Sequence, residues 1–230
     1  MIDFHSHILP AVDDGSKNID ESLKMLSMLR EQGIDTVVST SHYQAQKESV
    51  DEFIARRNKA FDELMSRGDA SLPKILLGAE IEFYDGISRL ENLHKLKIGD
   101  SRLLLVEMPM NKWTEHTIKE IERLAFTNEY VVVLAHIERF LSYQTKESME
   151  RLMDASILFQ VNASYFNDFF TRRKAMNMLR NNAVHFIGSD CHNLTSRAPA
   201  IGKAYDLIKS KMGASFISDY TDFHREMLSL

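Results

Sequence analysis

His5-Ser6-His7 near one end of the chain and Asp190-Cys191-His192 near the other repeat one device: two metal-capable side chains separated by a single residue. Successive side chains on extended backbone point to opposite faces, so each pair aims both donor groups to one side. His42, Glu80, Glu107 and His136 add further imidazole and carboxylate donors between the pairs. Asp13-Asp14-Gly15 reads as a turn whose carboxylates could reach the same place from a loop, with Asp14 the favoured member and Asp13 the reserve. Taken singly, each residue is more often packed or solvated. Taken together, burying the set without a cation would leave several kcal/mol of desolvation and repulsion unrelieved.

This donor set is mixed imidazole and carboxylate without thiolates, which suits manganese, iron or zinc and excludes a thiolate-rich structural zinc site. Nine donors (His5, His7, Asp14, His42, Glu80, Glu107, His136, Asp190, His192) are too many for one ion and enough for two or three, with a carboxylate such as Glu80 bridging. Closely spaced ions acidify water and clamp an oxyanion, which is hydrolytic chemistry. Arg139, three residues after His136, and Arg197, five after His192, supply guanidinium groups able to fork onto phosphate oxygens. The plainer alternative for either arginine is a surface ion pair.

Remote residues converge only if the elements carrying them are arranged to do so. Short apolar runs at residues 1–4, 36–40, 75–79, 103–106, 131–135, 158–161 and 185–188 read as seven buried strands. Six of the seven carry a donor within two residues of their end. Helical spacing separates them, as in Leu23, Leu26 and Leu29 before Gly33, or Phe53, Ile54, Arg57, Phe61, Leu64 and Met65 before Gly68, with the glycines as helix stops. Alternation of strand and helix calls for a parallel sheet, either a barrel or an open doubly wound sheet. In a parallel barrel every strand ends on one face, so the donors would share one cup.

The chain of 230 residues, 44% hydrophobic, is long enough for a sizeable core, and no linker or repeat divides it, so a single domain over 1–230 is expected. With 28 basic against 33 acidic residues, a formal charge of -5 and no basic run, nucleic acid is not expected as a main partner. No window approaches the length of an apolar membrane span, so direct membrane insertion is not expected. One cysteine, Cys191, cannot form an internal disulfide and fits a reducing compartment, pointing to a cytoplasmic location.

The ordered set His5-Ser6-His7, His42, Glu80, Glu107, His136 and Asp190-x-His192 resembles the polymerase-and-histidinol-phosphatase (PHP) family of metal-dependent phosphoesterases, over nearly the whole chain. More narrowly, MIDFHSHILPAVDDG, STSHY, LGAEIEF, AHIERF and SDCHN look like the bacterial CpsB/CapC/YwqE branch of manganese-dependent protein-tyrosine phosphatases. The resemblance implies a distorted seven-stranded (β/α)7 TIM-like barrel and a trinuclear site. It would group His5, His7, Glu80 and Asp190 around one ion, Glu80, Glu107 and His136 around another, and Asp14, His42 and His192 around the third. It further implies phosphate-binding roles for Arg139 and Arg197. The implied substrate is a phosphotyrosine-containing protein, a membrane-associated bacterial tyrosine kinase governing capsule or exopolysaccharide export. Attack by metal-activated water on phosphorus needs no covalent enzyme intermediate, and the sequence names no general acid.

Rival readings attach to particular residues. Cys191 and Arg197 are spaced C-x5-R, as in cysteine-dependent tyrosine phosphatases, but the intervening His192-Asn193-Leu194-Thr195-Ser196 lacks the glycines that let successive amides turn inward. Cys191 is therefore expected to be a small buried side chain. Tyr43, Tyr165, Phe166, Phe169 and Phe170 could flank a phenol ring, yet such groups more often pack a helix or lid. A small phosphomonoester such as histidinol phosphate, a phosphodiester, a cyclic amide, or phosphotyrosine capture without turnover are the competing functions.

Overall fold

The computed structural model describes residues 1–127 and 129–230. Strands β1 (Ile2–Ser6), β2 (Thr36–Ser39), β3 (His42–Tyr43), β4 (Lys74–Leu77), β5 (Glu80–Glu82), β6 (Leu103–Glu107), β7 (Val131–Leu134), β8 (Leu158–Asn162) and β9 (Phe186–Gly188) pair only in parallel. They run in the orders β1-β2-β4 and β3-β5-β6-β7-β8-β9. The described strands number nine against the seven expected, because a further short segment follows each of the second and third runs, β3 after β2 and β5 after β4. Backbone bonds join the sheet's far edges: Asp190 N–H donates to the His5 carbonyl at 2.8 Å and His7 N–H to the Cys191 carbonyl at 2.9 Å. The sheet thus curls until β9 and its continuation meet β1.

Side-chain alternation divides the apolar residues into two layers. Leu103 and Leu105, with Val133 and Ala135, join Ile2, Phe4, Val38 and Phe186 in a cluster inside the curl, while Leu104, Val106, Val132 and Leu134 pack outward against helices. The helices are the ones the periodicity requires. α1 (Ile19–Glu31) is capped by Asn18 and α2 (Val50–Arg67) by a Ser49–Glu52 capping box. Gly33, at φ +80°, ends α1 by letting Ile34 N–H reach back to the Leu29 carbonyl. α3 (Glu115–Phe126), α4 (Lys146–Asp154), α5 (Ala163–Asn167), α6 (Arg172–Arg180) and α7 (Gly202–Met212) complete the outer layer.

α8 (Ala214–Met227) closes the inner cluster at the end where the strands begin, bringing Phe223, Met227 and Leu228 onto it. His224 is buried there, its Nε2 donating to the His185 carbonyl at 2.8 Å, and burial holds the imidazole down to about 4. Between about pH 6.5 and 4 the unfolded chain takes up a proton that the folded one refuses. Stability therefore falls as the pH drops through this window, by on the order of 3 kcal/mol from this one group. His224→Gln, which keeps a donor for the carbonyl, is expected to flatten the acid side of a urea-midpoint profile; an unchanged slope between pH 7 and 5 would contradict this.

Candidate metal centre

Every expected donor comes to the end where the strands finish. His5 Nε2 and His7 Nε2 lie 3.1 Å apart, and Asp190 Oδ1 is 3.7 Å from the first and 3.6 Å from the second. Glu80 sits at the centre. Its Oε2 is 3.2 Å from His5 Nε2, 3.3 Å from His7 Nε2 and 3.1 Å from His42 Nδ1, while Oε1 is 2.9 Å from His136 Nε2. Glu107 Oε1 approaches His136 Nε2 at 3.3 Å. Asp14, largely exposed, extends Oδ1 to within 3.3 Å of His42 Nε2 and 3.5 Å of His192 Nε2. By proximity of donor atoms alone, His7, Asp14, His42 and His192 form one group, His5, His7 and Asp190 another, and His42, Glu80 and Glu107 a third.

Local backbone accounts for part of this convergence. Pairing between β1 and β2 slips between Asp3 and Ser6, so strict alternation fails there. Phe4 joins the inner apolar cluster, yet His5 also faces inward, bonding Gln160 and passing so close to Gly188 that a Cβ there would lie 2.4 Å from the His5 Cβ. His136 and Asp190 both take positive φ, 31° and 53°, directly beyond their strands. Such conformations cost of order 1–3 kcal/mol in a non-glycine residue and persist where surrounding contacts hold them.

A second layer, partly unforeseen from sequence, fixes the imidazoles. Gln160 Oε1 accepts the His136 backbone N–H at 2.7 Å and stands 3.0 Å from His5 Nδ1, which makes Nδ1 the donor of the His5 ring. Asp13 Oδ2 holds His7 Nδ1 at 2.8 Å and the His42 backbone N–H at 2.9 Å. Asp13 is thus an orienting carboxylate, and Asp14 is the one that reaches the cluster. Asn162 donates to Asp190 Oδ2 at 2.8 Å, and Gln160 Nε2 to Asn162 Oδ1 at 2.9 Å. The only sequence signal for Gln160 and Asn162 was their polarity inside an apolar strand.

These contacts leave Nε2 of both rings facing the cluster. With both Nδ1 atoms donating, His5 and His7 turn Nε2 toward each other and toward two carboxylates. Glu80 Oε2 and His192 Nε2 are buried and make no hydrogen bond. Protonation follows the same field. Burial opposes charge on His7 and His136, but Asp13 and Glu80 raise the first to about 10, and Glu107 and Glu80 raise the second to about 9. Burial also disfavours carboxylates, yet His5 with the other imidazoles holds Glu80 well below its usual range, and His5, His7 and Arg139 lower Asp190.

Arg139 and Arg197 both pair with Asp190, Arg197 Nη2 at 2.7 Å from Oδ1, and both line a cavity of about 540 Å³ together with Asp14, His42, Glu80, Glu107 and His136. They are each about one-third exposed, at 35% and 37%, so they sit between buried carboxylate and open cavity. Cys191 is fully buried, and burial raises its thiol far above the range of a nucleophile. The following loop also offers no amide cradle: Asn193 Oδ1 consumes the N–H groups of Thr195 at 2.9 Å and Arg197 at 3.1 Å. Tyr43 and Phe166 are core residues, Tyr43 packing edge-on against Phe53, whereas Phe169 and Phe170 stand in solvent.

Residues 1–222 match the family model described as "Capsular polysaccharide synthesis, CpsB/CapC". The tyrosine-protein phosphatase CpsB of Streptococcus pneumoniae is 36% identical over 228 residues, covering 93% of this chain and 92% of that protein. The tyrosine-protein phosphatase YwqE of Bacillus subtilis is 27% identical over 227 residues, 93% of this chain and 86% of that one. Among solved structures, one from work on YwqE of Bacillus subtilis and CpsB of Streptococcus pneumoniae, described as metal-dependent tyrosine phosphatases, superimposes with a TM-score of 0.84 at 22% identity, covering 100% of this chain and 94% of that one. A TatD-like protein of Archaeoglobus fulgidus shares the fold more distantly, with a TM-score of 0.58 at 13% identity and 100% coverage of both chains.

Proposed function

We infer, from the premise that this chain belongs to the CpsB/CapC family, that it is a metal-dependent protein-tyrosine phosphatase, hydrolysing phosphotyrosine on a protein. The observation that carries this reading is a cluster of nine metal-capable side chains, six of them lining one cavity together with two arginines tied to the same carboxylate, Asp190. We take residues 1–230 as one domain and the interrupted pairs β2/β3 and β4/β5 as single staves, giving a distorted seven-stave barrel. Two or three ions, manganese first and iron or zinc as substitutes, are proposed. His5, His7, Glu80 and Asp190 would hold one, Glu80, Glu107 and His136 another, and Asp14, His42 and His192 the third.

Cations held there supply Lewis acidity, acidifying water and screening phosphoryl charge. The chain's own groups do the rest. Arg139 and Arg197 bind and orient the phosphoryl oxygens, and because both rest on Asp190 their positions are set by the same residue that faces His5 and His7. Asp13 and Gln160 keep His7 and His5 in the tautomer that presents Nε2 inward. Water supplies the oxygen that ends in inorganic phosphate; the P–O bond to tyrosine breaks, and the phenolate takes its proton from solvent. The proposed physiological partner is a membrane-associated bacterial tyrosine kinase controlling capsule or exopolysaccharide synthesis, met in the cytoplasm. Among the described residues no helix is long and apolar enough to cross a membrane.

Phosphate release by metal-stripped protein tests the reading, before and after Mn2+ is restored, on a phosphotyrosine peptide, histidinol phosphate and a cyclic amide. Metal-dependent turnover that favours the peptide is expected, with Cys191→Ser retaining activity within about threefold because the thiol lies outside the cavity. Preference for histidinol phosphate would make this a small-molecule phosphatase. Tight peptide binding without phosphate release would make it a capture protein, and metal-independent turnover lost in Cys191→Ser would place the chemistry on the cysteine.

A further inference from the structure

Phe169 and Phe170, between α5 and α6, are 68% and 88% exposed, their rings edge-on at 5.6 Å, and the Arg172 guanidinium lies 4.6 Å from the Phe169 ring centre. The display is held in place. Asp168 Oδ1 accepts the N–H groups of Phe170 at 2.8 Å and Thr171 at 3.1 Å, Thr171 Oγ1 donates to the Tyr165 carbonyl at 2.7 Å, and Asn167 Nδ2 to the Ala200 carbonyl at 2.7 Å. Beside it a cleft of about 490 Å³ between α6 and α7 is lined by Arg172, Arg173, Arg180 and Lys211 with Met176, Leu207 and Ser210, and by no carboxylate. Among the described residues none of these four cations makes an ion pair, although the whole chain carries a formal charge of -5.

We propose that this aromatic tip and its cationic flank dock the protein on an anionic lipid surface. Two large aromatic side chains fixed at an exposed turn lose the burial that normally stabilises them, so water is a poor environment for them. At a membrane the rings enter the boundary between headgroups and acyl chains, and the adjacent arginines reach lipid phosphates, the division of labour of an interfacial anchor. An acidic peptide would seat in the cleft and leave both rings in water, so the joint placement of rings and cations favours the lipid surface. The turn follows α5, whose N-cap residue Asn162 holds Asp190. Docking through it would bring the end of the sheet that carries the cavity toward the membrane.

Co-sedimentation of the full chain with vesicles of phosphatidylglycerol and phosphatidylcholine, against pure phosphatidylcholine, tests this. Partition into the anionic vesicles alone is expected, weakening as salt rises. Phe169→Ser/Phe170→Ser and Arg172→Gln/Arg173→Gln should each weaken partition about tenfold or more, while hydrolysis of a soluble phosphotyrosine peptide stays at the parent rate, showing that the variants fold. No sedimentation with anionic vesicles, equal sedimentation with neutral ones, or parent-like partition of either variant would overturn the proposal. Binding of poly-glutamate without vesicle binding would also overturn it, assigning the cleft to acidic protein segments.

Discussion

Glu80→Gln is expected to lower kcat on a phosphotyrosine peptide by roughly a thousandfold or more and to reduce bound metal, read independently by elemental analysis. Glu80 is the residue whose two oxygens span the cluster, Oε2 facing His5, His7 and His42 and Oε1 facing His136. Replacing it with an amide removes the central negative charge and turns one of the two oxygens into a donor aimed at the imidazole nitrogens. Glu80→Asp keeps the charge but withdraws it by one methylene, so it should fall between the parent and the amide. Activity within tenfold of the parent at full metal content would remove Glu80 from the centre of the mechanism.

Arg139→Ala and Arg197→Ala are each expected to reduce kcat/KM by about a hundredfold to a thousandfold without loss of metal. A fork of N–H donors placed on phosphoryl oxygens is worth most where charge is redistributed, and both guanidinium groups line the cavity. Lysine at either position keeps the charge and loses the fork, so it should recover only a fraction of the activity. Because both arginines lean on Asp190, removing one loosens the anchor of the other, and the double variant should fall short of the product of the single effects. If metal content drops along with activity, or if neither single variant loses more than a few-fold, the arginines are structural partners of Asp190 rather than phosphate ligands.

The candidate donors were legible because they obey a local rule: a polar, metal-capable residue placed within two positions of the end of a short apolar run. His42, Glu80, Glu107 and His136 each follow that rule, and the two x-separated pairs state their common face directly. Helix ends were legible for the same reason, since Gly33 acts through its own backbone freedom. Gln160 and Asn162 were not, because their role depends on which strands lie beside β8. Asp13 and Asp14 could be recognised as a pair, but which of them reached the cluster and which oriented His7 depended on the path of the turn. Tyr43 sits next to His42 in sequence and yet is buried beneath α2, since adjacent side chains on a strand face opposite ways.

The order of residues alone determined the alternation of strand and helix, the parallel sheet and the set of metal-capable residues beyond the strand ends, because each is encoded within a few consecutive positions. Tertiary structure decided what depends on pairing across long separations. It slipped the β1–β2 register so that Phe4 could fill the inner core while His5 turned to Gln160. It placed a further short strand just past each of two apolar runs. It brought both arginines onto Asp190, buried Cys191, and left Phe169 and Phe170 in solvent. Short-range pattern fixes which face a side chain prefers, but the close packing of distant elements determines what it meets there.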